Sequence, residues 1–136
     1  DPATAIFLGH SYGALLGTQI LFTEPDLFSG YILGSPSLWY DKRHILKVEA
    51  NYAKRNQDLK AKVFLYVGAY EALRKGDRRY NQTVDMVADN RALEKTLQSR
   101  KYPGLKLESV VLNDEDHVTV APRGFTRGLM YLLPVR

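Results

Sequence analysis

The chain predicts an α/β fold, a mostly parallel sheet with helices on both faces, and three observations point to it. Short apolar runs alternate with helix-patterned segments from end to end. One of those runs, Lys62-Val63-Phe64-Leu65-Tyr66-Val67, is apolar enough to be buried on both faces, as parallel strands are. Finally, Gly9-His10-Ser11-Tyr12-Gly13 passes directly from an apolar run into a helical one, which suits a tight strand-to-helix turn. Strands joined in this order need right-handed crossovers. With 136 residues and no internal repeat, low-complexity tract or linker, residues 1–136 read as one domain.

The elements follow in order. Thr4 to Leu8 is a short run of strand character, and Ala14 to Phe22 has the length and composition of a helix. Glu24-Pro25-Asp26 marks a turn, Phe28 to Gly34 a second strand, and Ser35-Pro36-Ser37 its end. Ile45 to Arg55 predicts a polar helix with a thin apolar face. Lys62 to Val67 is the third strand. Thr83 to Arg100 is the clearest helix, with Met86, Leu93 and Leu97 at helical spacing and charges between them. Tyr102-Pro103-Gly104 stops it. Leu105 to Leu112 is a fourth strand, and Pro122 to Leu133 a closing helix.

Composition is that of an ordinary globular chain: 25% charged and 45% hydrophobic residues leave no room for a disordered class. No run approaches the roughly 18 apolar residues of a membrane span, so no membrane partner is expected. The opening Asp1-Pro2 shows neither an initiator methionine nor a leader, and a cleaved leader or an excised fragment would both look like this. Cysteine is absent, which excludes disulfides, thiol catalysis and thiolate metal sites, and leaves cytoplasm and periplasm equally open. The net charge of +4 is mild, and without aromatic residues interleaved in a basic stripe no nucleic-acid partner is expected. The basic cluster Arg74-Lys75-Gly76-Asp77-Arg78-Arg79 reads as an exposed loop, with a role in steering an anionic substrate as the sharper alternative.

The chemistry starts at Ser11. Six serines and ten glycines in this length give about 0.03 chance occurrences of G-x-S-x-G, before strand and helix flanks are required. In that setting Gly9 and Gly13 leave room for a tight turn, and the serine sits in strained backbone with its hydroxyl outward. The N–H of Tyr12, at the helix N-terminus, is then the expected oxyanion donor. A serine hydroxyl needs a base. Of three histidines, His10 lies inside the turn with its ring expected to project away as a packing residue, and His44 follows Asp41-Lys42-Arg43 in an exposed loop. His117 lies directly after the last strand, on the same carboxyl end of the sheet as Ser11, and is the expected general base. A carboxylate should orient it. With the order serine, acid, histidine, the acid falls after the third strand, where Glu71 leads and Asp77 and Asp85 are the alternatives. Asp114 and Asp116 flank His117 in a weak metal-like cluster that lacks ligands from a second element, so neither a metal nor a cofactor is expected.

Four blocks together carry a resemblance: Gly9-His10-Ser11-Tyr12-Gly13-Ala14, Gly34-Ser35-Pro36-Ser37-Leu38-Trp39, Val67-Gly68-Ala69-Tyr70-Glu71 and Asp116-His117-Val118-Thr119-Val120-Ala121-Pro122. They resemble the esterase family of α/β hydrolases, in particular the branch that opens enterobactin-type siderophore trilactones, with esterase D more distant. The resemblance implies a carboxylic-ester hydrolase with Ser11 as nucleophile, His117 as base and a small-molecule ester as substrate. Ser11 and His117 carry over directly. For Glu71 the branch leaves a serine–histidine dyad open. The resemblance also sets Trp39 near the substrate, with core packing as the other reading; together with the basic residues Arg78 and Arg79 it is consistent with a siderophore-type ester, a generic carboxylic ester being the alternative. Family members carry strands before the elbow, one of whose loops donates a second oxyanion N–H. The chain therefore reads as the C-terminal part of an α/β-hydrolase fold. Its elbow strand would need cover from the N-terminal part of the same hydrolase or from a second copy. The alternative function is a catalytically silent fragment or interaction module.

Overall fold

A computed structural model describes residues 5–133. Asp1-Pro2 and Thr4, the first residue of the expected opening strand, lie outside them. The elements are β1 (Ile6–His10), α1 (Tyr12–Thr23), β2 (Gly30–Gly34), α2 (Tyr40–Arg55), β3 (Ala61–Gly68), a 3-10 turn (Ala69–Glu71), α3 (Met86–Arg100), β4 (Leu105–Leu112) and α4 (Val120–Leu132). All four strands run parallel in the order β1-β2-β3-β4.

That order decides where the helices lie. Right-handed crossovers that always step in the same direction deposit every connecting helix on one face. Alternation along the strands shows the result. Tyr31 and Leu33 of β2 and Val63 and Leu65 of β3 form one core with Ala14, Leu21, Ile45, Leu93 and Leu97 from α1, α2 and α3. Ile32, Phe64 and Tyr66 point the other way, onto Val120, Phe125 and Leu132 of α4. Both faces are covered, three helices against one. Central β2 is buried at all five positions, whereas β4 exposes Lys106 and Glu108.

Several boundaries differ from the expected ones, each for a local reason. β1 runs on to His10, because the register with β2 continues to the pair His10–Gly34. β2 starts at Gly30 and not at Phe28, whose ring packs edge-on against Phe7 and Tyr31. α3 begins at Met86, three residues late, since Asp85 caps it by accepting from the Ala88 N–H at 2.8 Å. Upstream, the Asn81 side chain holds Thr83 and Val84 in a turn. α2 begins earlier, at Tyr40, through three consecutive left-handed residues, Asp41, Lys42 and Arg43. Each costs about 1–2 kcal/mol. The pair Arg43–Asp89, 2.9 Å, ties that turn to α3.

Candidate active site

β1 ends in the strained turn that the glycine spacing predicts. Ser11 has φ 59° and ψ −119°, a region that non-glycine residues avoid at a cost of about 1–3 kcal/mol. The surrounding main chain holds it there: the Ser11 N–H donates to Gly34 O at 2.9 Å, and its carbonyl accepts from Leu15 and Ser37. Gly9 is needed because a Cβ would lie 2.6 Å from the Gly13 carbonyl carbon. The expectation for Gly13 is corrected, since a Cβ there would face open space and the tightness is one-sided. Tyr12 is the first residue of α1, so its N–H has no acceptor within the helix.

The last strand delivers the base. β4 ends at Leu112, and the following loop is pinned by Asp116, which accepts from the N–H groups of Val118 and Thr119. His117 Nε2 lies 2.9 Å from Ser11 Oγ. Its Nδ1 lies 2.5 Å from Glu71 Oε1. A carboxylate only accepts, so Nδ1 carries the proton and Nε2 is free to accept from the serine. The hydrogen bond to Glu71 raises the His117 pKa above its ordinary 6.5, against the opposing effect of burial.

Glu71 is 2% exposed, and three donors hold its carboxylate. Oε2 accepts from the Ser35 hydroxyl at 2.5 Å and the Gly68 N–H at 2.7 Å, and Oε1 from His117. The other two acid candidates are engaged elsewhere. Asp77 pairs with Arg79 at 3.1 Å, and Asp85 caps α3. Asp114 accepts from the Tyr70 hydroxyl, and no group of three His, Cys, Asp or Glu side chains among the described residues is placed to hold a metal ion. No helix among the described residues is long and apolar enough to cross a membrane.

The substrate-side candidates are less concentrated. Trp39 is half-buried, packed against the cluster of Val67, Met86 and Val87, with its ring 6.0 Å from that of Tyr12. Tyr12, Trp39 and Tyr40 form an aromatic rim, and Tyr12 and Tyr40 of it line a groove of about 290 Å³ between α1 and α2 together with Leu15, Leu16 and His44. Arg79 is bound to Asp77 and stands over the Tyr70 ring, while Arg78 is exposed beside it.

Sequence reasoning missed three side chains. Ser35, fully buried at the end of β2, holds Glu71. Ser37 Oγ lies 3.4 Å from Ser11 Oγ. Both stand at the carboxyl end of the sheet, which is the signal that would have found them. The third is His10. Its ring lies against Tyr66 and His117 and is more than packing, because both ring nitrogens are hydrogen-bonded, one of them to the carbonyl of His117.

A parallel sheet whose strand-to-helix turn presents a serine to a histidine and a carboxylate at its carboxyl end is the arrangement of the α/β hydrolases. Within that class the chain is similar, in sequence and in fold, to the siderophore esterases. It is 29% identical over 133 residues to the ferri-bacillibactin esterase BesA of Bacillus subtilis, covering 98% of this chain and 44% of that protein. Over 43 residues it is 51% identical to the siderophore enterobactin esterase of Emericella nidulans, 32% of this chain and 14% of the relative. The solved structure of the siderophore hydrolase EstA from Aspergillus nidulans superposes with a TM-score of 0.81 at 27% identity, over 93% of this chain and 46% of that one. No protein-family model matches. The chain thus spans less than half the length of BesA and of EstA.

Proposed function

We propose that the intact protein is a serine carboxylic-ester hydrolase working through an acyl-enzyme on Ser11. The observation that carries this reading is the unbroken hydrogen-bond chain from Ser11 Oγ through both nitrogens of His117 to a buried Glu71. In the proposed reaction Ser11 Oγ attacks the ester carbonyl as His117 Nε2 takes its proton. Glu71 stabilises the imidazolium, and the Tyr12 N–H donates a hydrogen bond to the developing oxyanion. His117 then protonates the departing alkoxide, and a water activated by the same nitrogen releases the acid. This reading leaves the second oxyanion donor to a segment outside the described residues. The test is ester turnover with the intact protein and its Ser11→Ala variant. Loss of turnover in the variant is expected, and retained turnover would remove Ser11 as nucleophile.

For the substrate we propose an anionic aromatic ester of the siderophore trilactone type, by the names of the relatives and the chemistry of the rim. Catecholate rings suit stacking on Trp39 and Tyr12, and the iron complex carries negative charge toward the basic loop. Because Arg79 is already paired with Asp77, Arg78 carries more of this interaction. The comparison is kcat/KM for the trilactone against a neutral short-chain aryl ester, with Arg78→Glu and Arg79→Glu. Efficiency on the trilactone should fall with charge reversal and with added salt, with the neutral ester little changed. Equal efficiency and no response would leave a general carboxylesterase.

A further inference from the structure

A second imidazole lies behind the first. His10 closes β1, one residue before Ser11, and its ring centroid is 4.8 Å from that of His117. His10 Nε2 lies 2.7 Å from the main-chain oxygen of His117, and Nδ1 lies 3.0 Å from the Tyr66 hydroxyl. Chemistry assigns the protons. A carbonyl can only accept, so Nε2–H donates to it, which leaves Nδ1 as an acceptor and the Tyr66 O–H as its donor. Tyr66 is fully buried on β3 and cannot swing away. Its ring fills the space where side chains at Gly34 and Gly124 would stand: a Cβ at Gly34 would fall 1.8 Å from it, and one at Gly124 2.5 Å.

We propose that His10, locked by Tyr66, is a positioning residue that holds the His117 main chain, so that the His117 ring stays in line between Glu71 and Ser11. The proposal rests on His117 being the general base. His117 sits on a loop, and one of its two side-chain bonds changes through the reaction: Nε2 accepts from the serine and then donates to the leaving oxygen, while Nδ1–H stays on Glu71. The bond from His10 to the carbonyl is unchanged in both states. It is therefore a main-chain anchor that persists, beside the bond to Glu71, while the proton moves. Small displacements matter here, because about 1 Å of misplacement costs on the order of 10²-fold in rate.

The same geometry requires His10 to stay neutral. Facing it are the imidazole of His117 from the loop, the carboxylate of Glu71 from the 3-10 turn, the Tyr66 hydroxyl from β3 and the Phe125 ring from α4. Burial lowers its pKa, and His117 adds to that, against the hydrogen-bonded carbonyl and Glu71. A second cation beside the imidazolium of His117 would oppose the charge that the reaction must create.

Two measurements on the intact protein test this. In wild type, the imidazole ¹⁵N shifts of His10 at pH 6.5 should show one neutral tautomer with the proton on Nε2. A charged ring or the Nδ1–H form would overturn the proposal, whatever the activity. In kinetics on an aryl ester, His10→Leu should lower kcat about 10- to 100-fold with KM within twofold. His10→Gln, which keeps a donor for the carbonyl, should recover most of that loss. Tyr66→Phe, which removes only the hydroxyl, should populate the second tautomer and lower kcat several-fold. A kcat unchanged in His10→Leu, or a loss that glutamine does not rescue, would reduce His10 to a packing residue. If wild type itself turns over no ester, the esterase reading fails, and the tautomer measurement still decides the geometry.

Discussion

At the scale of single residues, the site is a competition between two histidines in contact with opposite needs. His117 is pulled toward the charged form by Glu71, and His10 is held neutral by burial. Only neutral His117 can accept the proton of Ser11, so kcat/KM should rise with pH through the raised pKa, with its acid limb above 6.5. Glu71→Gln removes the group that raises it. The acid limb should then move to lower pH while kcat falls about 10²- to 10⁴-fold, as measured by pH–rate profiles on the intact protein. A near-normal kcat would mean a dyad. The stability contribution runs the other way: the His117–Glu71 pair is fully present below the unfolded pKa of 6.5 and is lost as pH rises through the folded value. In the sequence, the order serine, acid, histidine, each after a strand, points to Ser11 and His117 and puts Glu71 ahead of Asp77 and Asp85, with a dyad open. The parts of Ser35 and His10 could not be read this way. Their partners are 36 and 107 residues away, and nothing in local spacing signals a hydroxyl under a carboxylate or an imidazole under a carbonyl.

At the scale of elements, strand limits were legible to within two residues, and the starts of α2 and α3 were not. Strand limits follow apolar runs, and β4 occupies Leu105–Leu112 as expected. Helix starts depend on side chains reaching back to the main chain, as Asp85 does, or on partners in other elements, as at Arg43. The thin apolar face of α2 is compensated by such a partner. Glu49, 1% exposed, receives two 2.8 Å hydrogen bonds from Arg100 at the end of α3. Removing the arginine strands a buried carboxylate, so Arg100→Ala should destabilise the fold by about 3 kcal/mol, the low end for such pairs because Arg100 is partly exposed. Urea unfolding followed by circular dichroism reads this directly. A midpoint unchanged from wild type would show that water replaces the guanidinium.

At the scale of the whole molecule, the sheet is finished on one side only. β4 carries charges at its border, whereas β1 bears no further strand among the described residues, and Leu8, Leu16, Leu129 and Met130 are exposed. An open apolar edge of this kind pairs with other chains. Residues 1–136 produced alone should therefore self-associate, and sedimentation velocity showing a stable monomer would contradict the exposure described here. What the fold provides without any further segment is the strained elbow and the three hydrogen-bonded side chains at the carboxyl end of the sheet. The claim that these make an active nucleophile is tested most directly by treating the intact protein with a fluorophosphonate probe and locating the adduct by peptide mass spectrometry. The account predicts a single adduct on Ser11, absent in Ser11→Ala and strongly slowed in His117→Ala. A folded wild-type protein that takes up no probe, or takes it up at another serine, would contradict it.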